Sequence, residues 1–270
     1  MSWLAPIPIL IALPLFAVLS AALAILAHVV FRKFVPPERL LEQYDVAGYL
    51  VAVVGVLYSV VLGFLVGTVW TAFATAQQTT DLEAGYVSDA FGFASQLAQP
   101  ERREIERTLA RYALQVRDSE LRSGAAGGED RRSLMLLDRA ITLTVRMPPP
   151  AHAGNGALLE NNTLRSALLG DLRNVGDTRR LRYVQSQSRL PAGMLEALVL
   201  GALMVVAFAF FFGVRGLFKQ MAMTGLIAGS IGLFFGLILE LSTPYTGAIQ
   251  VSRDAWTLVI ATNDFVNVAR

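Results

Sequence analysis

Two long apolar blocks, roughly 1–75 and 191–250, stand on either side of a charged middle segment, and this constrains the fold more than any other feature of the chain. Each block is long enough for two helical crossings at about 20 residues apiece. Backbone amides in hydrocarbon have no water to bond, so spans of this kind close their own hydrogen bonds as helices. Only 16% of the 270 residues are charged, against about 25% in an ordinary soluble domain, and about two thirds of that charge lies between the blocks. The pattern predicts an all-α integral membrane protein, with four transmembrane helices in two pairs flanking a soluble helical bundle. The expected boundaries are 1–75 for the first pair and its basic connector, 76–190 for the soluble domain, 191–250 for the second pair, and 251–270 for a short C-terminal amphipathic helix.

The first apolar run extends from Trp3 to Phe31 and ends at Arg32 and Lys33. It is too long for a signal-peptide core and has no basic residue before it. Pro14 should kink it, because proline has no amide to donate. The second span is expected at 46–75, with its helix continuing out of the bilayer to Gln99, and Gly63 and Gly67 form a GxxxG pair that favours close helix approach. Pro100 then restarts a helix at its first position, on which Ile105, Leu109, Tyr112 and Val116 recur at helical spacing. Further helices are expected near 129–146 and 157–187, separated by glycine- and proline-rich loops. The third span, Pro191 to Val214, carries Phe208, Phe210, Phe211 and Phe212, which could pack, face lipid or gate a path. The fourth, Met221 to Leu241, carries Gly225, Gly229, Gly232 and Gly236 on one face, a helix-packing stripe whose partner the sequence does not name.

Charge near the spans bears on orientation. The short connectors hold Arg32, Lys33, Arg39, Arg215 and Lys219, and the positive-inside rule would place them in the cytoplasm and the charged domain outside. Arg173, Arg179, Arg180, Arg182, Arg189 and Arg253 argue the other way. The weight of the first span leans the reading toward an external domain.

Few residues suggest chemistry. The chain has no cysteine, and its two histidines, His28 and His152, have no metal-ligand spacing. Nucleophile-elbow, phosphate-loop and dinucleotide motifs are absent. No catalytic residue, cofactor or metal is expected, and a net charge of +2 gives no reason to expect nucleic-acid binding. Glu240, deep in the fourth apolar run, is the carboxylate most exposed to an intramembrane cost, and such groups line polar cavities or find partners. Glu196 begins the third span, where an acid suits the helix dipole. Tyr58 and Ser59 lie at mid-span in the second helix.

The segment Gln43-Tyr44-Asp45-Val46-Ala47-Gly48, followed by Gly55-Val56-Leu57-Tyr58 and Trp70, resembles the second-span signature of the bacterial bestrophin-like membrane proteins (domain of unknown function 4239). That signature reads Asn-Asp-x-x-Gly and then Gly-Val-x-Tyr. Asp45, Gly48, Gly55 and Tyr58 match it, and Tyr44 stands where asparagine is usual. The tail from Leu241 to Ser252 resembles the family's Pro-Phe-x-Gly segment through Pro244 and Gly247, with Tyr245 in the aromatic place. The resemblance covers essentially the whole chain. It implies a distant likeness to bestrophins, four-span oligomeric anion channels whose large domain is cytoplasmic, in conflict with the charge count.

Two functional expectations follow. One is a homo-oligomeric channel or transporter for a small ion in the bacterial cytoplasmic (inner) membrane. In it helices two and three line the path, Asp45 and Glu240 sit at its mouths, and Gly48, Gly55, Tyr58, Pro244 and Gly247 form its motifs. The other is a non-transporting sensor or scaffold that acts through its helical domain.

Overall fold

The computed structural model describes residues 8–35, 44–121, 130–148, 155–211 and 216–270, with backbone alone at 44–47, 155 and 157. Every regular element among them is helical. In chain order these are α1 (Ile9–Phe34), α2 (Tyr44–Ala94), α3 (Glu101–Gln115) with a π turn (Val116–Glu120), α4 (Arg131–Arg146), α5 (Asn155–Gln187), α6 (Ala192–Phe210), α7 (Leu217–Leu241), α8 (Asp254–Thr262) and α9 (Phe265–Val268). Four of them are long and apolar enough to cross a membrane: α1, α2 from Gly48, α6 and α7. The chain divides into two units, Met1–Phe73 with Arg189–Thr243 and Gly247–Ile249, and Ala74–Ser188 with Pro244–Thr246 and Gln250–Arg270. With 51 residues α2 belongs to both. At 1.5 Å per residue it is more than twice as long as a hydrocarbon core is thick.

In the first unit α1 and α7 pack antiparallel through the glycine stripe. Gly225 lies against Ile25 and Ala21, Gly229 against Ala17 and Ala21, Gly232 against Ser20 and Phe16, and Gly236 against Phe16. With no Cβ on that face the backbones approach closely, which replaces the hydrophobic drive that lipid removes. A second contact layer joins Leu62, Leu65 and Val69 of α2 with Leu198 of α6 and Ile238 and Leu241 of α7. Large apolar side chains such as Leu23, Val56, Phe64 and Leu226 point outward. In water such a surface would drive association; in a bilayer it is the solvated face.

The second unit is built as a globular bundle, with an apolar interior and charged exterior. Ile105, Leu109 and Tyr112 of α3, Leu168, Leu172 and Val175 of α5, and Trp256 and Phe265 of the C-terminal helices are fully buried. Asp130 caps α4 by accepting the amide of Arg132 at 3.0 Å, a standard way to satisfy an orphan first-turn donor.

Several boundaries differ from the sequence reading. The helix of α2 stops at Ala94, short of Gln99, and turns through Ser95 to Leu97. Pro100 is the N-cap of α3 where the first helical position was expected. α5 begins at Asn155, two residues earlier than expected. The single C-terminal helix is two short ones, broken where Asp264 takes φ 51°. Asn267 Nδ2 donates to both carboxylate oxygens of Asp264 at 2.9 Å, a local bond that holds the break. α1 runs helically through Pro14. Arg39, His152, Phe212 and Arg215 lie outside the described residues.

Candidate functional site

One stripe of α2 packs inside the first unit, through Tyr58, Leu62, Leu65, Val66, Val69 and Phe73. The opposite face is bare. Val53, Val56, Val60, Gly63, Phe64, Gly67 and Thr71 are all exposed, Phe64 at 79%. A Cβ placed on Gly63 or Gly67 would meet nothing within 4 Å, so among the described residues the GxxxG pair has no partner helix inside the subunit. The hydroxyls on α2 turn back on the helix. Ser59 donates to Val56 O at 2.8 Å, Thr68 to Phe64 O at 2.9 Å and Thr71 to Gly67 O at 2.9 Å. Back-bonded hydroxyls offer little to a passing ion, so the face is in effect apolar.

Tyr58 sits on the packed side. Its hydroxyl donates to Leu198 O at 3.2 Å, and its ring lies where a Cβ on Gly201 would be, 2.6 Å away. The aromatic therefore ties α2 to α6 and needs glycine opposite it. Gly48 and Gly55 are half-buried on α2, and Asp45 lies in its first turn. Phe210, one of the third-span phenylalanines, is turned inward against His28, with ring centroids 4.9 Å apart, and against Phe31 at 5.6 Å.

Glu240 is buried and belongs to a different constellation. Its Oε2 accepts the amide of Ala248 at 2.5 Å. A Cβ on Gly247 would stand 2.7 Å from that same oxygen and 2.9 Å from Thr243 Oγ1. The carboxylate thus fastens the turn that follows α7, and Gly247 is the residue small enough to let it do so. The Pro244 carbonyl accepts the amide of Val251 at 2.9 Å, and the Tyr245 hydroxyl donates to Ala76 O at 3.2 Å, both within the second unit.

The densest polar cluster lies in the second unit, and the sequence reading did not single it out. Arg182 donates from Nε to Glu83 Oε2 at 2.7 Å and from Nη2 to Glu120 Oε2 at 2.6 Å. Arg179 pairs with Glu120 Oε1 at 2.5 Å, and Ser133 Oγ donates to the same carboxylate. The Tyr112 hydroxyl donates to Glu83 Oε1 at 2.7 Å. All six residues are buried. Two carboxylates and two guanidiniums balance in charge, so the cluster carries no net charge into the core. Burial works against the charge on Arg182, and the Glu83 and Glu120 carboxylates outweigh it, holding its pKa above the ordinary value. A signal for the cluster does exist in the sequence. Glu83, Glu120, Arg179 and Arg182 each continue a buried stripe at helical spacing: Ala76 to Val87, Ile105 to Val116, and Leu168 to Val175. Charged residues on an apolar stripe have to meet one another.

Burial, and then the neighbouring Glu83 carboxylate, push the Tyr112 phenol well above its ordinary 10.0. Because the folded pKa is the higher one, this group's contribution is complete below pH 10 and is lost as pH rises beyond it. Denaturation followed between pH 9 and 11 should show stability falling with pH. Tyr112→Phe should flatten that slope, at the cost of about 1.5–3 kcal/mol at pH 8 for the lost bond to a charged acceptor.

A family model for the Bestrophin-like domain matches residues 18–256. No curated protein matches the chain. Among solved structures, a single-residue variant of a bacterial bestrophin homologue from Klebsiella pneumoniae superposes with a TM-score of 0.60 at 14% identity, over 96% of this chain and 98% of that one. A second crystal structure of that homologue gives 0.59 at 14%, over 96% and 98%. A variant of a protein described only as a membrane protein gives 0.60 at 15%, over 95% and 97%. At these identities the likeness establishes the fold. The family match over most of the chain, the four membrane-length helices and the shared fold lead to one assignment: this membrane protein belongs to the Bestrophin-like domain family.

Proposed function

We infer that the protein is an oligomeric ion channel of the bacterial cytoplasmic membrane, in which the bare face of α2 from each subunit lines a common axial path. The observation that carries this is the unpartnered α2 face itself, with Val56, Val60, Gly63, Phe64 and Gly67 exposed on it. A helix that met only lipid would gain nothing from placing glycines there, whereas close approach to a second copy needs them. Valine and phenylalanine side chains stacked about a symmetry axis would make a hydrophobic constriction that gates by dewetting. Asp45, in the first turn of α2, is kept at a mouth of the path. Glu240 is reassigned from the path to the turn after α7, on the strength of its bond to Ala248.

Ion flux from liposomes holding the purified protein tests this reading. Phe64→Ala should raise the flux severalfold by widening the apolar neck, and Glu240→Gln should leave ion selectivity unchanged while lowering thermal stability. Selectivity that follows Glu240→Gln would return that residue to the path. Flux absent for every common ion, with the protein folded and inserted, would remove the channel.

The second reading, a scaffold acting through its helical unit, has one observation in its favour. A groove of about 540 Å³ between α3 and α4 is lined by Arg111, Arg132 and Arg139 with Asp118, beside Leu114 and Leu136, a surface of net positive charge suited to an acidic amphipathic partner.

A further inference from the structure

The end of the first unit where α1 finishes and α7 begins holds polar atoms that the channel reading does not use. His28 is fully buried in the last third of α1, and among the described residues neither ring nitrogen has a hydrogen-bond partner. One turn on, Nε and Nη2 of Arg32 are shut off from solvent and also lack one. Gln220 of α7 lies beside the imidazole. The antiparallel pairing that sets Ile25 against Gly225 brings these residues to one level.

Unpaired buried donors are costly, and a guanidinium without an acceptor more so than an amide. Among the described residues none supplies an acceptor to Nε and Nη2 of Arg32. What surrounds the cluster favours an anion. Gly216, φ 107°, is the N-cap of α7, and among the described residues no side chain caps the first turn of the helix. Lys33 and Lys219 are exposed at the same level of the two helices and add positive potential. Phe210 packs edge-on against the imidazole, and Phe31 packs against Phe210. Arg32 as a whole is only half-buried, so part of its side chain reaches the surface of the helix pair.

We propose that Arg32 and His28, at the junction of α1 and α7, form a binding site for a phosphate-type oxyanion, supplied either by the headgroup of an anionic phospholipid or by free phosphate. The guanidinium presents two parallel N–H groups of the kind that grip phosphate oxygens, and the imidazole N–H adds a third donor. Arg32 and Lys33 end a membrane-length helix, which is where a headgroup would lie.

The test uses the full-length protein in a non-ionic maltoside detergent, read by native mass spectrometry and by thermal unfolding. It is titrated with dioleoyl phosphatidylglycerol, with dioleoylglycerol, which has the same chains and no phosphate, and with inorganic phosphate. The wild type should retain the phospholipid at least about tenfold better than the neutral lipid, the effect of one or two charge-assisted bonds. Arg32→Gln should bring the two lipids level, His28→Phe should weaken retention, and Lys33→Gln should leave most of it. Arg32→Lys, which keeps the charge without the fork, should fall between. If inorganic phosphate raises the unfolding temperature of the wild type but not of Arg32→Gln, and displaces the phospholipid, the site also takes the free anion. Equal retention of both lipids with no phosphate shift overturns the proposal. Phospholipid retention unchanged in Arg32→Gln overturns it as well.

Discussion

Arg182→Met should destabilise the second unit by about 3–5 kcal/mol, the largest loss expected from any single side chain there. The guanidinium bridges Glu83 and Glu120, and its own side chain is almost wholly buried. Methionine fills the volume but leaves Glu83 with only the Tyr112 hydroxyl and Glu120 with Arg179 and Ser133. One buried negative charge then stands uncompensated, and either it protonates or the helices part to let water in. Chemical denaturation monitored by Trp256, which is buried in the same unit, reads the loss directly. Arg180→Met on the same helix is the control. Arg180 is exposed, and its pairing with Asp177 is a solvated one at 3.5 Å, so its loss should stay within about 0.5 kcal/mol. Arg182→Met together with Glu83→Gln removes one charge of each sign and leaves Glu120 paired with Arg179, and it should recover much of the stability. That recovery would show that the cluster fixes how the helices register more than it adds net stability. Equal effects of Arg182→Met and Arg180→Met would mean that the buried network carries no such role.

Much of this architecture was readable in advance because lipid and water impose different rules on the same chain. The membrane-length helices announce themselves by length and composition, since a bilayer admits few alternatives. The glycine offsets of α7 were legible as one face, and the structure supplies Phe16, Ala17, Ser20, Ala21 and Ile25 of α1 as what that face meets. The ion cluster was harder to see. Each of its members looks like an ordinary surface charge until it is placed on the stripe of its own helix, and the pairing across α2, α3 and α5 is long-range. Glu240 was hard to place for the opposite reason. Its depth in an apolar run suggested a path, but its acceptor role is satisfied by the amide of Ala248 only eight residues later, after a turn that no hydropathy pattern encodes. The break at Asp264 was hidden likewise, because a left-handed residue in a short helix leaves the apolar period almost intact.

Gly232→Ala should be the most damaging small change in the first unit, and it separates two kinds of glycine that look alike in sequence. A Cβ at 232 would stand 2.5 Å from Ser20 Cβ and 2.8 Å from Phe16 O. The serine cannot swing clear on its own, because its hydroxyl is tied to Phe16 O at 2.7 Å, and the carbonyl is main chain. α1 and α7 must therefore move apart along the stripe, giving up contacts at Gly229 and Gly236 as well. Overpacking of this kind costs about 1–3 kcal/mol where only side chains shift, and a forced backbone displacement belongs at or above the top of that range. Gly229 has more room, with the nearest atom, Ala17 O, at 3.4 Å, so Gly229→Ala should cost less. Gly63→Ala and Gly67→Ala meet open space within the subunit and should leave its unfolding temperature unchanged. If the bare face of α2 is a subunit contact, those two changes should instead weaken the oligomer seen by native mass spectrometry. Gly232→Ala with an unchanged unfolding temperature would deny the close α1–α7 approach. An oligomer indifferent to Gly63→Ala, Gly67→Ala and both together would deny that α2 faces a second copy through its glycines.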